Sequence, residues 1–239
     1  MKKLSTQEIK EVRKRLLPAH SADVYDTLDA MGYLYQCLSL KIRPLNDNMI
    51  IAGPALTILG TSEPRVSGDL PGQYKNPEFD DYAMFDKIYE DCVIVLNAEK
   101  DDQVGHWGEL MSYGARNKGA IGVVIDGGTR DKAGILKIDN WACFAKYTSP
   151  IESEKIWRSK TLEKPIFMTG TLSKYVRVDP GDWIVGDCDG VMVIPQKILM
   201  ETLSNLEKFC MREERERKEL SNRAQIKEVQ TKDKHVIVL

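Results

Sequence analysis

The chain has 239 residues, 42% hydrophobic and 29% charged, and its 34 Lys plus Arg nearly balance 36 Asp plus Glu for a formal net charge of -2. A disordered chain would be poorer in apolar residues and further from neutrality, and a chain of this length can bury a substantial core. Disorder and a small stapled scaffold are therefore excluded, and the balanced charge gives no electrostatic reason to expect a nucleic-acid partner.

Ser5 with Glu8 reads as a capping box, after which Ile9, Val12 and Leu16 recur at helical spacing until Pro18. Ser21 is the N-cap candidate of a second helix, with Val24, Leu28 and Met31 on one face and Gly32 as its stop. Residues 50–59 are aliphatic and β-branched but interrupted by Gly53 and Pro54, which predicts an edge or bulged strand. Residues 61–81 hold Gly68, Pro71, Gly72 and Pro77 among polar neighbours and read as a long loop.

Tyr82, Phe85, Ile88 and Tyr89 predict a helix, 92–96 a buried strand, and 110–118 a helix stopped by Gly119. The run 121–125 reads as a strand followed by the turn Asp126, Gly127, Gly128, Thr129, and the aromatic residues of 141–147 and Trp157 read as loop packing or subunit contact. A short strand at 165–168 precedes two more within 176–195, around the turns 179–182 and 187–190. Leu199, Leu203, Leu206 and Cys210 make a final helical stripe that gives way to a nearly all-charged tail. Alternating strands and helices indicate an α/β fold. No linker divides the chain, so one domain over 1–239 is expected, with a core at about 21–195 and a C-terminal helix at about 197–224.

The apolar runs are far shorter than the roughly 18 to 20 residues of a membrane helix, and 1–16 lacks the apolar stretch of a secretory signal, so a cytoplasmic chain without a membrane partner is expected. Five scattered cysteines with no CxxC pair fit structural thiols.

The chemistry concentrates in 105–131, GHWGELMSYGARNKGAIGVVIDGGTRD. Glu109 begins a helix whose free N–H groups attract anions, while Arg130 and Asp131 follow a buried strand, where open α/β sheets hold ligands. Carboxylates suit Mg2+ or Mn2+, and a guanidinium suits a substrate carboxylate or a developing oxyanion. On spacing alone, adjacent Arg and Asp in a glycine loop are more often a turn with a surface ion pair. His20, His106 and His235 form no recognised ligand spacing, no lysine is seen within an apolar strand to serve as a Schiff base, and no GxSxG elbow is present.

Gly108, Glu109 and Leu110, with twenty residues between Glu109 and Arg130 and then Asp131, resemble the hallmark of the family that groups RraA-like ribonuclease regulators with the 4-hydroxy-4-methyl-2-oxoglutarate and 4-carboxy-4-hydroxy-2-oxoadipate aldolases, class II pyruvate aldolases. SADVYDTLDAMG at 21–32, IAGPALTI at 51–58 and VDPGDWIVGDCDGVMVIP at 178–195 agree in the same order. The resemblance implies a compact α-β-β-α sandwich of the swivelling β/β/α type with N- and C-terminal helical extensions, assembled as a homotrimer or homohexamer with sites between subunits. It implies Asp131 as ligand to Mg2+ or Mn2+, Arg130 on substrate and enolate, and Glu109, where the aldolases have Asp, on metal-bound water. The backbone N–H groups of Glu109, Leu110 and Met111 after Gly108 would cradle the carboxylate of a small 2-oxo acid. Glu213 and Asp26 would come from a neighbouring subunit, although a charged helix tail is usually solvated.

The implied activity is metal-dependent retro-aldol cleavage of a 4-hydroxy-2-oxo acid to pyruvate, with oxaloacetate decarboxylation as companion. The alternatives are a regulator that binds a ribonuclease and a related lyase for a sugar-derived oxo acid, the latter because 62–81 and 138–164 depart from the aldolases.

Overall fold

The computed structural model describes residues 4–62, 83–222, 226 and 229. Two helices, α1 (Thr6–Leu16) and α2 (Ser21–Ala30), open the chain. The capping box at Ser5 forms: the Glu8 N–H donates to Ser5 Oγ at 3.3 Å and the Ser5 N–H to Glu8 Oε2 at 2.7 Å. The second helix is capped one residue earlier than expected, by His20. Ser21 is instead its first residue, giving its N–H and hydroxyl to Asp187 at 2.7 and 2.6 Å. Gly32, at φ +82, ends it as expected.

The strands follow as β1 (Arg43–Pro44), β2 (Ile51–Ser62), β3 (Val93–Asn97), β4 (Gly122–Thr129), β5 (Ala142–Thr148), β6 (Trp157–Leu162), β7 (Ile166–Thr169), β8 (Tyr175–Val178), β9 (Trp183–Gly186) and β10 (Val191–Ile194). Helix α3 (Glu109–Asn117) precedes β4, the single turn α4 (Lys132–Ile135) follows it, and α5 (Leu199–Ser221) closes the fold after a 3-10 turn, Gln196–Ile198. The main sheet runs β1-β5-β4-β3-β2-β9-β10, with β6 also on β2, and β7 and β8 form a separate hairpin. Strands β2 to β5 are mutually parallel in the order β2-β3-β4-β5, and the remaining pairings are antiparallel.

Side-chain alternation divides the interior into layers. On β3, Ile94 and Leu96 face the α3 side while Val93 and Val95 face the β7–β8 hairpin; Val123 and Ile125 on β4 oppose Val124 in the same way. On β9 and β10, Trp183, Val185, Met192 and Ile194 turn toward α1, α2 and α5, and Ile184, Val191 and Val193 turn inward. Strands buried on both faces need continuous apolar runs, which is how the sequence reads at these positions. The architecture is the helix-covered double β layer expected.

β2 joins the two halves. Residues 51–54 pair with β9 and 55–59 with β3, so Pro54, which has no N–H to give, stands where the strand changes partner. The strand is central to the sheet, not an edge, though the expected bulge is present between Leu59 and Gly60, against β6. At Gly60 a Cβ would overlap the Trp157 ring.

Five other expectations are corrected. The aromatic spacing after residue 82 yields a 3-10 turn, Ala83–Asp86, and no α-helix. Asp126 to Thr129 continue β4 through a register shift and are buried, so the turn begins only at Arg130. The aromatic segment 141–147 is mostly β5, and Trp157 opens β6. The region 176–195 carries β9 and β10 together with most of β8, three strands where two were expected. Lys146 does lie in an apolar strand, β5, where it is ion-paired with buried Asp126. Of the segment read as a loop, Thr61 and Ser62 end β2; residues 63–81 and Tyr82 lie outside the described residues. No described helix is long and apolar enough to cross a membrane.

Trp183, fully buried between β9 and the helices, holds this second half together. Trp183→Ala should cost about 3–5 kcal/mol in denaturant unfolding, whereas Phe167→Ala, 53% exposed, should cost under about 0.5 kcal/mol.

Candidate active site

The segment before α3 is laid along the end of β4. His106 N–H donates to Gly128 O at 2.9 Å, Arg130 N–H to Trp107 O at 2.8 Å, and Thr129 Oγ1 to the same carbonyl at 2.9 Å. Ser112 ties the helix to this segment, accepting from Trp107 Nε1 at 2.9 Å and donating to Gly108 O at 3.0 Å. The first turn of α3 is thereby brought against the Arg130-Asp131 loop. Trp107, Ser112 and Thr129 are positioning residues that spacing alone did not single out; the signal for them is a polar side chain flanking a strand end, too common to be read unaided.

Asp131 adopts φ +58, ψ 34, in the left-handed region, and caps α4. A non-glycine residue there is strained, and such strain collects at functional sites. Its Oδ2 accepts from the Glu109 N–H at 3.3 Å and from Arg130 Nε at 3.2 Å. A Cβ on Gly108 would lie 2.8 Å from the same oxygen, so glycine is needed for the approach. Among the hydrogen bonds described, Asp131 Oδ1 has no protein partner.

Glu109 is half-buried, and its carboxylate rests on α4: a Cβ on Gly134 would overlap it. The extra methylene relative to aspartate is accommodated there. Since the Glu109 N–H points at Asp131, the N–H groups of Leu110 and Met111 are the donors that the helix start leaves over for an anion. Leu110 is 84% exposed, so this edge is open.

Arg130 extends between two carboxylates, Asp131 on its Nε side and Glu152 Oε1 3.8 Å from Nη1. Glu152 lies in 138–164 and was not anticipated; its approach depends on distant backbone pairing that no local pattern carries. The structure thus brings together Gly108, Glu109, Arg130 and Asp131, with Leu110 and Met111 following on α3.

Asp26 and Glu213 are not among them within one chain. They meet each other on the α2–α5 layer, beside Asp23. Burial first, then Asp23, raises the Glu213 carboxyl above the usual range, against an opposing contribution from Arg217; burial, Asp23 and Asp29 raise Asp26.

His106, read as packing, is buried and meets Trp157 edge to face at 4.9 Å. Its Nδ1 accepts from the Gly128 N–H at 3.1 Å, and Nε2 faces Asp101 Oδ1 at 3.3 Å without hydrogen-bond alignment. Burial holds its pKa below the usual value, with Asp101 opposing. Asp187, Cys188 and Asp189 also bring three potential ligand atoms within 4.8 Å of one another. Asp187 is occupied there by Ser21 and by the Asp189 N–H at 2.9 Å, as a cap for α2.

Residues 21–193 match the RraA-like model, Aldolase/RraA. Protein DlpA of Legionella pneumophila is 30% identical over 203 residues, which is 84% of this chain but only 30% of that much longer protein. A Halalkalibacterium halodurans protein, provisionally named a 4-hydroxy-4-methyl-2-oxoglutarate aldolase, is 31% identical over 176 residues, 72% of this chain and 71% of its own. Among solved structures, a protein described among novel cellulases from microbes associated with the gut ecosystem superposes with a TM-score of 0.77 at 28% identity, covering 90% of each chain. Streptomyces coelicolor RraAS2, an unusual member of the RNase ES inhibitor RraA family, superposes at 0.71 and 22% identity over 87% of this chain and 96% of its own, a likeness of fold. With a match spanning most of the described fold and both ends of the candidate site, the chain belongs to the RraA-like (Aldolase/RraA) family.

Proposed function

We propose that the chain is a divalent-metal-dependent carbon–carbon lyase that cleaves a 4-hydroxy-2-oxo acid to pyruvate, by the retro-aldol chemistry of the 4-hydroxy-4-methyl-2-oxoglutarate and 4-carboxy-4-hydroxy-2-oxoadipate aldolases, with oxaloacetate decarboxylation as companion. The observation that carries this reading is the meeting of Asp131, Arg130 and the α3 N-terminus across Gly108. A hard cation fits the donor set, because Asp131 keeps one carboxylate oxygen free of described hydrogen bonds and Glu109 supplies a second acid, resting on the helix that Asp131 caps. A bound Mg2+ or Mn2+ would polarise the keto group and accept electron density as the C3–C4 bond breaks.

The protein's own groups divide the remaining work. The N–H groups of Leu110 and Met111 hold the substrate carboxylate, and the Arg130 guanidinium stabilises charge developing on the keto oxygen. Glu109 takes the C4 hydroxyl proton as the C4 carbonyl forms, directly or through water, and returns a proton to C3 to release pyruvate. Decarboxylation uses the same enolate, with CO2 leaving in place of the carbonyl product. Glu213 and Asp26, on another layer of the fold, serve a neighbouring subunit's site in a homotrimer or homohexamer.

The relative's aldolase name supports this reading over a ribonuclease regulator, whose shared fold carries no chemistry by itself. The cellulase description attached to a structural neighbour does not carry over, since the carboxylates here crowd a single guanidinium instead of flanking a sugar-sized gap.

Pyruvate release from oxaloacetate and from a panel of 4-hydroxy-2-oxo acids, coupled to lactate dehydrogenase, should appear with Mg2+ or Mn2+ and vanish on chelation; silence across the panel would overturn the lyase. Asp131→Ala should keep the fold and lose turnover by about 10²-fold or more; retained activity at saturating substrate would remove Asp131 from the metal.

Gly134→Ala introduces a good helix former, so folding should survive, but the added methyl displaces the Glu109 carboxylate and should lower kcat by roughly tenfold. An unchanged kcat would separate Glu109 from proton transfer.

The raised Glu213 carboxyl contributes stability that is present below its unfolded pKa and lost as pH rises through its folded one. Glu213→Gln should therefore raise Tm at neutral pH while lowering kcat. A raised Tm with unchanged kcat would remove Glu213 from the neighbouring site.

A further inference from the structure

We infer that Glu152 selects the substrate's tail, making the chain a lyase for 4-hydroxy-2-oxo acids whose tail beyond C4 is neutral and hydroxylated in preference to those carrying a second carboxylate. The inference rests on the lyase reading above and narrows its substrate class away from the dicarboxylates.

The geometry begins at Gly105. Its N–H donates to Ile151 O at 2.9 Å, and it bridges in parallel to both Gly128 and Glu152, so a short extended segment lies between the end of β4 and residues 151–152. A Cβ at Gly105 would sit 2.8 Å from Arg130 Cβ and 3.0 Å from its backbone nitrogen. Glycine at this position leaves the Arg130 side chain its place beside the segment, and the guanidinium meets Glu152 with Nη1 and Oε1 3.8 Å apart. The backbone of Glu152 is fixed by that bridge, and its side chain is 50% exposed beside the guanidinium.

Arg130 therefore has two distinct ends. Nε is engaged by Asp131, which also receives the Glu109 N–H at the start of α3. Nη1 faces Glu152. A 2-oxo acid with its carboxylate on the α3 N–H groups and its keto oxygen at Arg130 runs its C4 substituent past the guanidinium toward Glu152. Asp131 and Glu152 already flank the guanidinium, and the Glu109 carboxylate lies on neighbouring α4. A second substrate carboxylate at the Glu152 end would meet like charge, which disfavours it strongly at short range. A hydroxyl there finds an acceptor in Glu152.

The test uses a matched pair, 4-hydroxy-2-oxopentanoate and 4-hydroxy-2-oxoglutarate, which differ only in a methyl or a carboxylate on C4. Glu152→Gln should shift the kcat/KM ratio toward the dicarboxylate by about tenfold, mainly through KM, while Glu152→Asp keeps the wild-type preference. A shift under about twofold in a Glu152→Gln protein with unchanged Tm would overturn the assignment. If neither protein releases pyruvate from either acid, the lyase reading falls, and calorimetry of the Mg2+-loaded protein with 2-oxobutanoate and 2-oxoglutarate decides Glu152 separately. Preferential gain of 2-oxoglutarate affinity in Glu152→Gln would support it, and equal affinities in both proteins would sink it.

Discussion

Burial of the central strands on both faces is the constraint from which the rest follows. β3 and β4 send alternate aliphatic side chains into two different clusters, each buried side chain contributing about 1.5–3 kcal/mol. A polar side chain within such a strand has no solvent on either side and needs a protein partner, as in the C-terminal halves of β3 and β4. There Asn97 Nδ2 donates to Phe167 O at 2.8 Å, and Asp126 accepts from the Thr169 N–H and hydroxyl at 2.6 and 2.8 Å and pairs with Lys146. These contacts pin the β7–β8 hairpin over the inner face. Arg130 and Asp131 emerge immediately beyond them, at the first point where β4 reaches solvent.

The candidate site is built by close backbone approaches more than by long side chains. Gly105, Gly108 and Gly134 each leave the space that Arg130, Asp131 or Glu109 fills. The left-handed Asp131 costs on the order of 1–3 kcal/mol, a strain that persists because the β4 end, α3 and α4 over-determine its position. The left-handed conformation recurs at Asp91, Glu99, Lys100, Asn140 and Glu163, and what distinguishes Asp131 is that one of its oxygens meets both the Glu109 N–H and Arg130. An exposed pair of this kind contributes about 0–1 kcal/mol and would not require three glycines around it.

What the sequence discloses follows the range of the interactions involved. α1 and its capping box were legible because every partner lies within four residues, and α3 with its Gly119 stop was legible for the same reason. β5 was missed because Trp141, Lys146 and Tyr147 break the aliphatic pattern; they are tolerated because Asp126 neutralises the lysine and Tyr147 lies over Gly128. The segment from Asp126 to Thr129 has a turn's composition, yet its glycines serve close packing against His106 and Tyr147 within a strand. Phe85, Ile88 and Tyr89 pack on the α3-side cluster at helical spacing, although only a 3-10 turn forms there. Glu109, Arg130 and Asp131 were found by resemblance, whereas Glu152 depends on a bridge through Gly105 between segments far apart in sequence, which no single window contains.

The fold is shared by proteins with and without chemistry, so discrimination has to come from features that a binding surface does not require. A regulator that works by contact needs an exposed patch of suitable shape and charge. It has no need of a helix start held against an Arg-Asp pair by close backbone approach. Asp131 and Glu152 both pair with Arg130, and the Asp131 oxygen that holds this pair also receives the first N–H of α3, an arrangement set by backbone more than by surface charge. A second acidic group sits on another layer: burial first, then Asp23, raises both Asp26 and Glu213, against opposing contributions from Arg212 on Asp26 and Arg217 on Glu213. Asp26 and Glu213 lie with the α1, α2 and α5 layer and Arg130 and Asp131 beside α3, so a site that used both groups would have to be completed by a second chain.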